Sequence, residues 1–268
     1  MLELIQITND PAFAQRCDAL GGFRLFVDLE RAGKAERQAG RNTFISTHQV
    51  EDVGRVKRAL RQSTLMVRVN PLHAGTAAEV DAVLGQGADL LMLPMFTNAQ
   101  QLRQFAALVN GRVPVVPLLE TAGALHTLDE WVHTPGLHEV YVGLNDLHLS
   151  LGHRFMFQAL ADGTVERVAR AAQARGLRFG FGGIARLEEG LLPGRDVLAE
   201  HLRLGSGAVI LSRTFHRDDP DAVFEHEIEA LRSVEARLAQ RTPEQVQSDA
   251  RRIAGAIDGI TAGLAARA

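Results

Sequence analysis

Apolar and polar positions along the chain fall into two alternating rhythms. Short apolar runs at residues 2–7, 23–30, 65–70, 90–94, 113–120, 139–146, 178–183 and 208–211 have the length of strands buried on both faces. Stretches of helical spacing separate them, at residues 11–20, 55–61 and 162–175 among others. Punctuation supports these limits: Gly21-Gly22 stops the first helix and Gly176 the helix at 162–175. Thr76-Ala77-Ala78-Glu79 and Thr97-Asn98-Ala99-Gln100 have capping-box spacing and predict helix starts at those threonines.

Eight strand–helix units in a row predict a parallel sheet with helical crossovers. The number eight favours a closed (β/α)8 TIM barrel over an open sheet. An open doubly wound sheet would carry a Gly-x-Gly-x-x-Gly turn after an early strand. None follows the first strand, and Gly180-Phe181-Gly182-Gly183 comes late with another spacing. Residues 1–216 are assigned to the barrel and 217–268 to a C-terminal helical extension. In the extension, Thr242-Pro243-Glu244-Gln245 reads as a helix start, and Ile253, Ala256, Ile257, Ile260 and Leu264 recur at helical spacing. Such a stripe must cover the barrel or a second subunit, and a homo-oligomer is expected.

Composition narrows the function classes. Twenty-nine basic and 32 acidic side chains leave a net charge of −3, which lacks the basic excess of a nucleic-acid surface. No apolar stretch approaches the roughly 20 residues that span a bilayer, and the N-terminus does not read as a signal peptide. Cys17 is the only cysteine, so no intrachain disulfide forms and a reducing cytoplasm is expected. Cys17 reads as a buried helix residue.

Two strings carry the candidate chemistry. Val115-Val116-Pro117-Leu118-Leu119-Glu120 and Tyr141-Val142-Gly143-Leu144-Asn145-Asp146 each end an apolar run in a carboxylate. On neighbouring parallel strands about 4.8 Å apart, Glu120 and Asp146 would emerge together and repel unless a divalent cation lay between them. Barrel sites lie at the carboxyl ends of the strands. Alternation turns Asp28, Glu30, Arg68 and Asn70 inward, with Val27, Leu29, Val67 and Val69 toward the helices. A guanidinium cannot give up its proton, so Arg68 suits the stabilisation of an anionic oxygen. His126, His133, His138, His148 and His153 share no metal-site spacing. His148 and His153 follow Asp146 and lie in an apolar segment with Leu149, Leu151, Phe155, Met156 and Phe157, which reads as a lid or a subunit contact. The basic loop at 33–41 reads as solvated chain or as a surface for an acidic or phosphorylated substrate.

The chain resembles the HpcH/HpaI aldolase and citrate lyase β-subunit family of the phosphoenolpyruvate/pyruvate barrel superfamily. The matching stretches are Phe26-Val27-Asp28-Leu29-Glu30, Val67-Arg68-Val69-Asn70-Pro71, Gly87-Ala88-Asp89 with Leu93-Pro94-Met95, Pro117-Leu118-Leu119-Glu120-Thr121, and Gly143-Leu144-Asn145-Asp146-Leu147 with Ser150 and Gly152. The resemblance implies that Glu120 and Asp146 bind Mg²⁺ or Mn²⁺, which would chelate a 2-oxo acid. It implies that Arg68 faces the keto oxygen and stabilises an enolate. It also implies that backbone N–H groups from Gly143 through Asn145 to Asp146 hold the substrate carboxylate, with Asn70 beside them. The aldolase branch carries a histidine directly after the second-strand glutamate; here that residue is Arg31, and His48 or Glu30 is the candidate replacement in proton transfer. Asp-Leu-Glu resembles the citrate-lyase branch more, whose members include lyases of coenzyme A thioesters.

The implied activity is a divalent-metal-dependent carbon–carbon lyase joining or parting a pyruvate-like 2-oxo acid and an aldehyde or acyl partner. A phosphate-binding barrel isomerase or synthase is the second reading, with Gly180-Phe181-Gly182-Gly183 and Gly205-Ser206-Gly207 as its phosphate loops. A non-catalytic barrel that binds a 2-oxo acid is the third.

Overall fold

A computed structural model describes residues 1–31, 47–216 and 221–266. Eight parallel strands close in chain order: β1 (Glu3–Ile7), β2 (Phe23–Asp28), β3 (Thr64–Arg68), β4 (Leu90–Leu93), β5 (Val115–Leu119), β6 (Glu139–Val142), β7 (Arg178–Ile184) and β8 (Ala208–Leu211). β8 pairs back onto β1, with Leu4 opposite Val209. The fold is a TIM-type (β/α)8 barrel. Around it lie α1 (Pro11–Leu20), α2 (Val50–Ala59), α3 (Thr76–Gly85), α4 (Ala99–Val109), α5 (Ala122–His126), α6 (Leu128–Trp131), α7 (Leu144–Ser150), α8 (Gln158–Ala161), α9 (Thr164–Ala174), α10 (Gly194–Arg203), α11 (Asp221–Leu238) and α12 (Pro243–Ala265). The basic loop at 33–41 lies outside the described residues.

Side-chain alternation sorts each strand into two shells. Val27, Leu29, Val67, Val69, Leu119 and Val142 pack between sheet and helices. Ile5, Phe26, Met66, Met92, Val116, Leu118 and Tyr141 fill the lumen. Full burial is worth roughly 1.5–3 kcal/mol for each large apolar side chain, so both shells hold the strands in register. Cys17 is buried in the outer shell, and burial pushes its thiol up to about 12. The floor of the lumen is ionic instead. Arg24 donates to Glu139 at 3.1 and 2.8 Å and pairs with Glu3, which also takes Arg178 at 2.8 Å. Two guanidiniums and two carboxylates balance there, so the floor is neutral.

The glycines of β7 have a packing reason. A Cβ on Gly180 would stand 2.6 Å from the Tyr141 ring and 2.8 Å from the Ala208 carbonyl. The Tyr141 hydroxyl donates to the Gly182 carbonyl at 2.7 Å and accepts the Ile210 N–H at 2.9 Å. Gly205-Ser206-Gly207 precedes β8 and therefore lies at the amino edge of the barrel. That is the face opposite to the one expected of a phosphate loop.

Three local expectations are corrected. Asn145 and Asp146 stand in the first turn of α7, because β6 ends at Val142 and Gly143 opens a helix. Gly75 caps α3, and Glu79 turns away from Thr76 to bond Asn70. Asn98, one residue after the expected Thr97, caps α4 by accepting the Gln101 N–H. The box at Thr242 and Gln245 forms as read.

α11 packs against α1 and α10. Phe224 meets Phe13 edge-on at 5.0 Å, and Arg16 pairs with Glu225 at 2.9 Å. α12 lies against α8 and α10, burying Ile253 and Ile257 on the chain's own helices. Arg252 grips Asp196 there at 3.0 and 2.6 Å. No helix among the described residues is long and apolar enough to cross a membrane.

Candidate active site

The carboxyl edges of β2 and β3 bring four polar residues together. Arg68 donates from Nε to Asp28 Oδ1 at 2.9 Å and from Nη2 to Oδ2 at 2.8 Å. Its Nη1 lies 3.3 Å from Glu30 Oε2, and its guanidinium carbon 5.7 Å from the centre of the Phe26 ring. Asp28 also accepts the Glu30 N–H, which fixes the turn out of β2. His48 comes in from the chain just before α2. The Asp28 N–H donates to His48 Nδ1 at 3.1 Å, so Nδ1 is the acceptor and the neutral ring carries its proton on Nε2. His48 is buried rather than exposed on a loop.

The edges of β5 and β6 supply the carboxylates. Leu119 pairs with Val142, so Glu120 and Gly143 leave the two strands side by side. Glu120 is buried and accepts the Met95 N–H at 2.9 Å. Met95 adopts a left-handed φ of 54° to deliver that donor, a conformation that costs a residue with a Cβ about 1 kcal/mol or more. Glu120 Oε2 lies 2.8 Å from where a Cβ on Gly143 would stand, so glycine makes room for the carboxylate. Asp146 reaches the same region from the first turn of α7, half-buried. Ser150, at the end of α7, accepts the Ala122 N–H at 2.8 Å and ties α7 to α5.

Charge dominates this site. Burial pushes the Glu120 carboxyl up to about 8; Arg68 and the Met95 N–H oppose this, while Glu30 and Asp146 reinforce it. Burial alone would lower the Arg68 pKa, but Asp28, Glu30 and Glu120 together hold it above its ordinary value. Among the described residues, Asp28, Glu30 and Glu120 thus surround the Arg68 guanidinium, and Asp146 acts on Glu120. Among the described residues no group of three or more His, Cys, Asp or Glu side chains is arranged to hold a metal ion. The donor set is two carboxylates, Glu120 and Asp146. That suits a hard cation such as Mg²⁺, which keeps several waters and takes few protein oxygens.

A sequence profile of the HpcH/HpaI aldolase/citrate lyase family matches residues 6–185. The chain belongs to that family. A (3S)-malyl-CoA thioesterase of Cereibacter sphaeroides is 29% identical over 182 residues, covering 66% of this chain and 61% of that protein. The chain therefore spans less than two thirds of the length of that relative. The barrel superposes on the HpcH/HpaI aldolase of Desulfitobacterium hafniense DCB-2 with a TM-score of 0.61 at 16% identity, covering 87% and 93% of the two chains. It superposes on a citrate lyase beta subunit of M. tuberculosis, solved with oxaloacetate and magnesium, with a TM-score of 0.58 at 18% identity, covering 90% and 97%. At these identities the two structures speak for the fold.

The candidate site residues of this chain sort into two groups. Glu30, His48 and Arg68 converge at β2 and β3, and Glu120, Gly143 and Asp146 at β5 and β6. The charges of Arg68 and Glu30 act on Glu120, which joins the groups into one site. Asn70 behaves differently from its inward expectation: its Oδ1 accepts the Arg31 N–H at 2.9 Å and its Nδ2 donates to Glu79 at 2.7 Å. Asn145 is exposed on α7. His148 and His153 serve local structure, His148 against the Leu144 carbonyl and His153 beside Asp162. Phe155 and Phe157 are buried and meet edge-on at 5.4 Å, so that segment is packed rather than open. Sequence reading missed Met95 as the donor to Glu120 and Asp28 as the clamp of Arg68. Asp28 carried a signal, its parity with Arg68 across two strands; Met95 stood in a family stretch, but nothing there marked its N–H as the donor.

Proposed function

We propose that this protein is a divalent-metal-dependent carbon–carbon lyase that works through the enolate of a pyruvate-like 2-oxo acid. The observation that carries the reading is the meeting, among the described residues, of buried Glu120 and half-buried Asp146 with the Arg68 guanidinium that Asp28 clamps. Glu120 and Asp146 would hold Mg²⁺ or Mn²⁺, which when bound would polarise the 2-oxo acid as a Lewis acid. Arg68, fixed by Asp28, would stabilise the negative charge that develops on the keto oxygen as the bond breaks, an interaction stronger in the transition state than in the ground state. The Gly143 N–H is taken by the Leu119 carbonyl at 2.9 Å, so the N–H groups that follow it in the first turn of α7, which lack intrahelical acceptors, would receive the substrate carboxylate. His48 would donate a hydrogen bond from Nε2 without giving up its proton, and Glu30 would take the proton of the substrate hydroxyl as the carbon–carbon bond breaks and return it in condensation.

A coenzyme A thioester as the acyl partner is the second reading. The similarity to a (3S)-malyl-CoA thioesterase and the Asp-Leu-Glu sequence at the end of β2 favour it over a free aldehyde. Deuterium exchange at C3 of pyruvate in D₂O, followed by NMR, tests the enolate step. Exchange that requires Mg²⁺ or Mn²⁺ and is lost in Glu120→Ala and Arg68→Ala supports the lyase. Silence with pyruvate, oxaloacetate and other 2-oxo acids refutes it.

A further inference from the structure

We propose that Arg31, which stands where the aldolase branch places its histidine, is a positioning residue that fastens His48, and that Asn70 and Glu79 fasten Arg31. The inference rests on the reading of His48 as a participant in the proposed reaction. Arg31 Nη2 donates to the His48 carbonyl at 2.7 Å. Its own N–H donates to Asn70 Oδ1 at 2.9 Å. Asn70 is held in turn by Glu79, whose Oε1 accepts the Asn70 N–H at 3.1 Å and Nδ2 at 2.7 Å. The other Glu79 oxygen lies 3.1 Å from His73 Nε2, which roots the series in the first turn of α3.

The series closes on itself. Asn70 follows Arg68 on the way out of β3, Arg68 clamps Asp28, and the Asp28 N–H holds the His48 ring. His48 is therefore gripped at both ends, by a backbone N–H on its imidazole and by a guanidinium on its carbonyl. A charge-assisted bond to that carbonyl is about twice as strong as a neutral one. It restrains the backbone from which the ring projects. Arg31 stands where the aldolase branch places its histidine, and here it locates His48. Glu79 explains why the expected capping box at Thr76 is absent: its carboxylate serves the β2 and β3 exits instead.

The test uses the full chain labelled with ¹⁵N-histidine, with the His48 signal assigned by its loss in His48→Gln. The wild type should show one narrow signal of the Nε2–H tautomer. Arg31→Ala should broaden it or move it toward a tautomer average, Glu79→Ala should do so less, and Arg31→Lys should restore part of it. In metal-dependent exchange at C3 of the 2-oxo acid, Arg31→Ala should lower kcat at least tenfold with KM within threefold, again partly recovered by Arg31→Lys. An unchanged His48 signal in both Arg31→Ala and Glu79→Ala overturns the proposal. If the wild type exchanges no 2-oxo acid, the lyase reading fails and the NMR arm alone decides the positioning role. If Arg31→Ala does not fold, Arg31→Lys and Glu79→Ala carry the same decision.

Discussion

Asp28 and Arg68 are register partners across β2 and β3, and their side chains repeat that pairing as a two-pronged ion pair of 2.9 and 2.8 Å. The backbone ladder thus sets the guanidinium, and the carboxylate fixes its rotation. Asp28→Asn keeps one acceptor and removes the charge. Breaking a fully buried pair costs roughly 3–5 kcal/mol; with one acceptor kept and Arg68 partly accessible, about 2 kcal/mol is expected, read as a lower urea midpoint at unchanged slope. C3 exchange should fall about 100-fold, since a guanidinium free to rotate no longer faces the oxygen that gains charge.

Much of the architecture was legible because alternation leaves no choice in a closed barrel. Once Val27, Leu29, Val67 and Val69 face the helices, Asp28, Glu30 and Arg68 must face the lumen. β8 was readable to the residue, since Gly205 to Gly207 and Ser212 bound a run of four apolar residues. Asp146 was placed on a strand because Leu144 and Leu147 are as apolar as strand residues; the break at Gly143 depends on the room needed by Glu120, a contact 23 residues away in sequence. Glu79 was read as a cap because spacing cannot tell a helix's own N–H from a neighbouring asparagine. The donor at Met95 was illegible because a left-handed methionine is a tertiary outcome that no local propensity favours.

Proton and metal should compete at Glu120. Its carboxyl, ordinarily near 4.5, is pushed up to about 8 by burial, with Glu30 and Asp146 adding to the shift. The metal-free native state therefore holds a proton that the unfolded chain has released. That contribution to stability is complete below about 4.5 and is lost as the pH rises through about 8. Cation affinity runs the other way, rising with pH until Glu120 is ionised and then levelling. Calorimetry of Mn²⁺ binding near pH 7, in buffers of different ionisation heat, should count up to one released proton. Glu120→Gln should abolish the release, and an affinity independent of pH in the wild type would refute the assignment.

Gly180 separates the packing reading of β7 from the phosphate-loop reading. An alanine there would drive its Cβ against the Tyr141 ring and the Ala208 carbonyl, at 2.6 and 2.8 Å. Neither yields easily, since the Tyr141 hydroxyl is held by Gly182 and Ile210. Overpacking of this kind costs about 1–3 kcal/mol, measurable by urea unfolding. The wild type should show no thermal stabilisation by inorganic phosphate. Stabilisation by phosphate that Gly180→Ala removes would restore the phosphate-binding alternative.

Gly143 should matter to the cation rather than to the fold. Its φ of −86° is open to any residue, so alanine brings no backbone strain. The added methyl would, however, stand 2.8 Å from Glu120 Oε2 and 3.0 Å from Glu120 Cβ, with Leu118 at 3.2 Å behind. Glu120 is tethered by the Met95 N–H, so its carboxylate must rotate off that donor to make room. A cation held by only two protein carboxylates depends strongly on each of them. Gly143→Ala should therefore weaken Mn²⁺ binding at least tenfold, followed by electron paramagnetic resonance, while the urea midpoint moves by less than that of Asp28→Asn. Unaltered Mn²⁺ affinity in Gly143→Ala, with Glu120→Ala also unaffected, would place the cation away from β5 and β6 and remove the ground for the lyase reading.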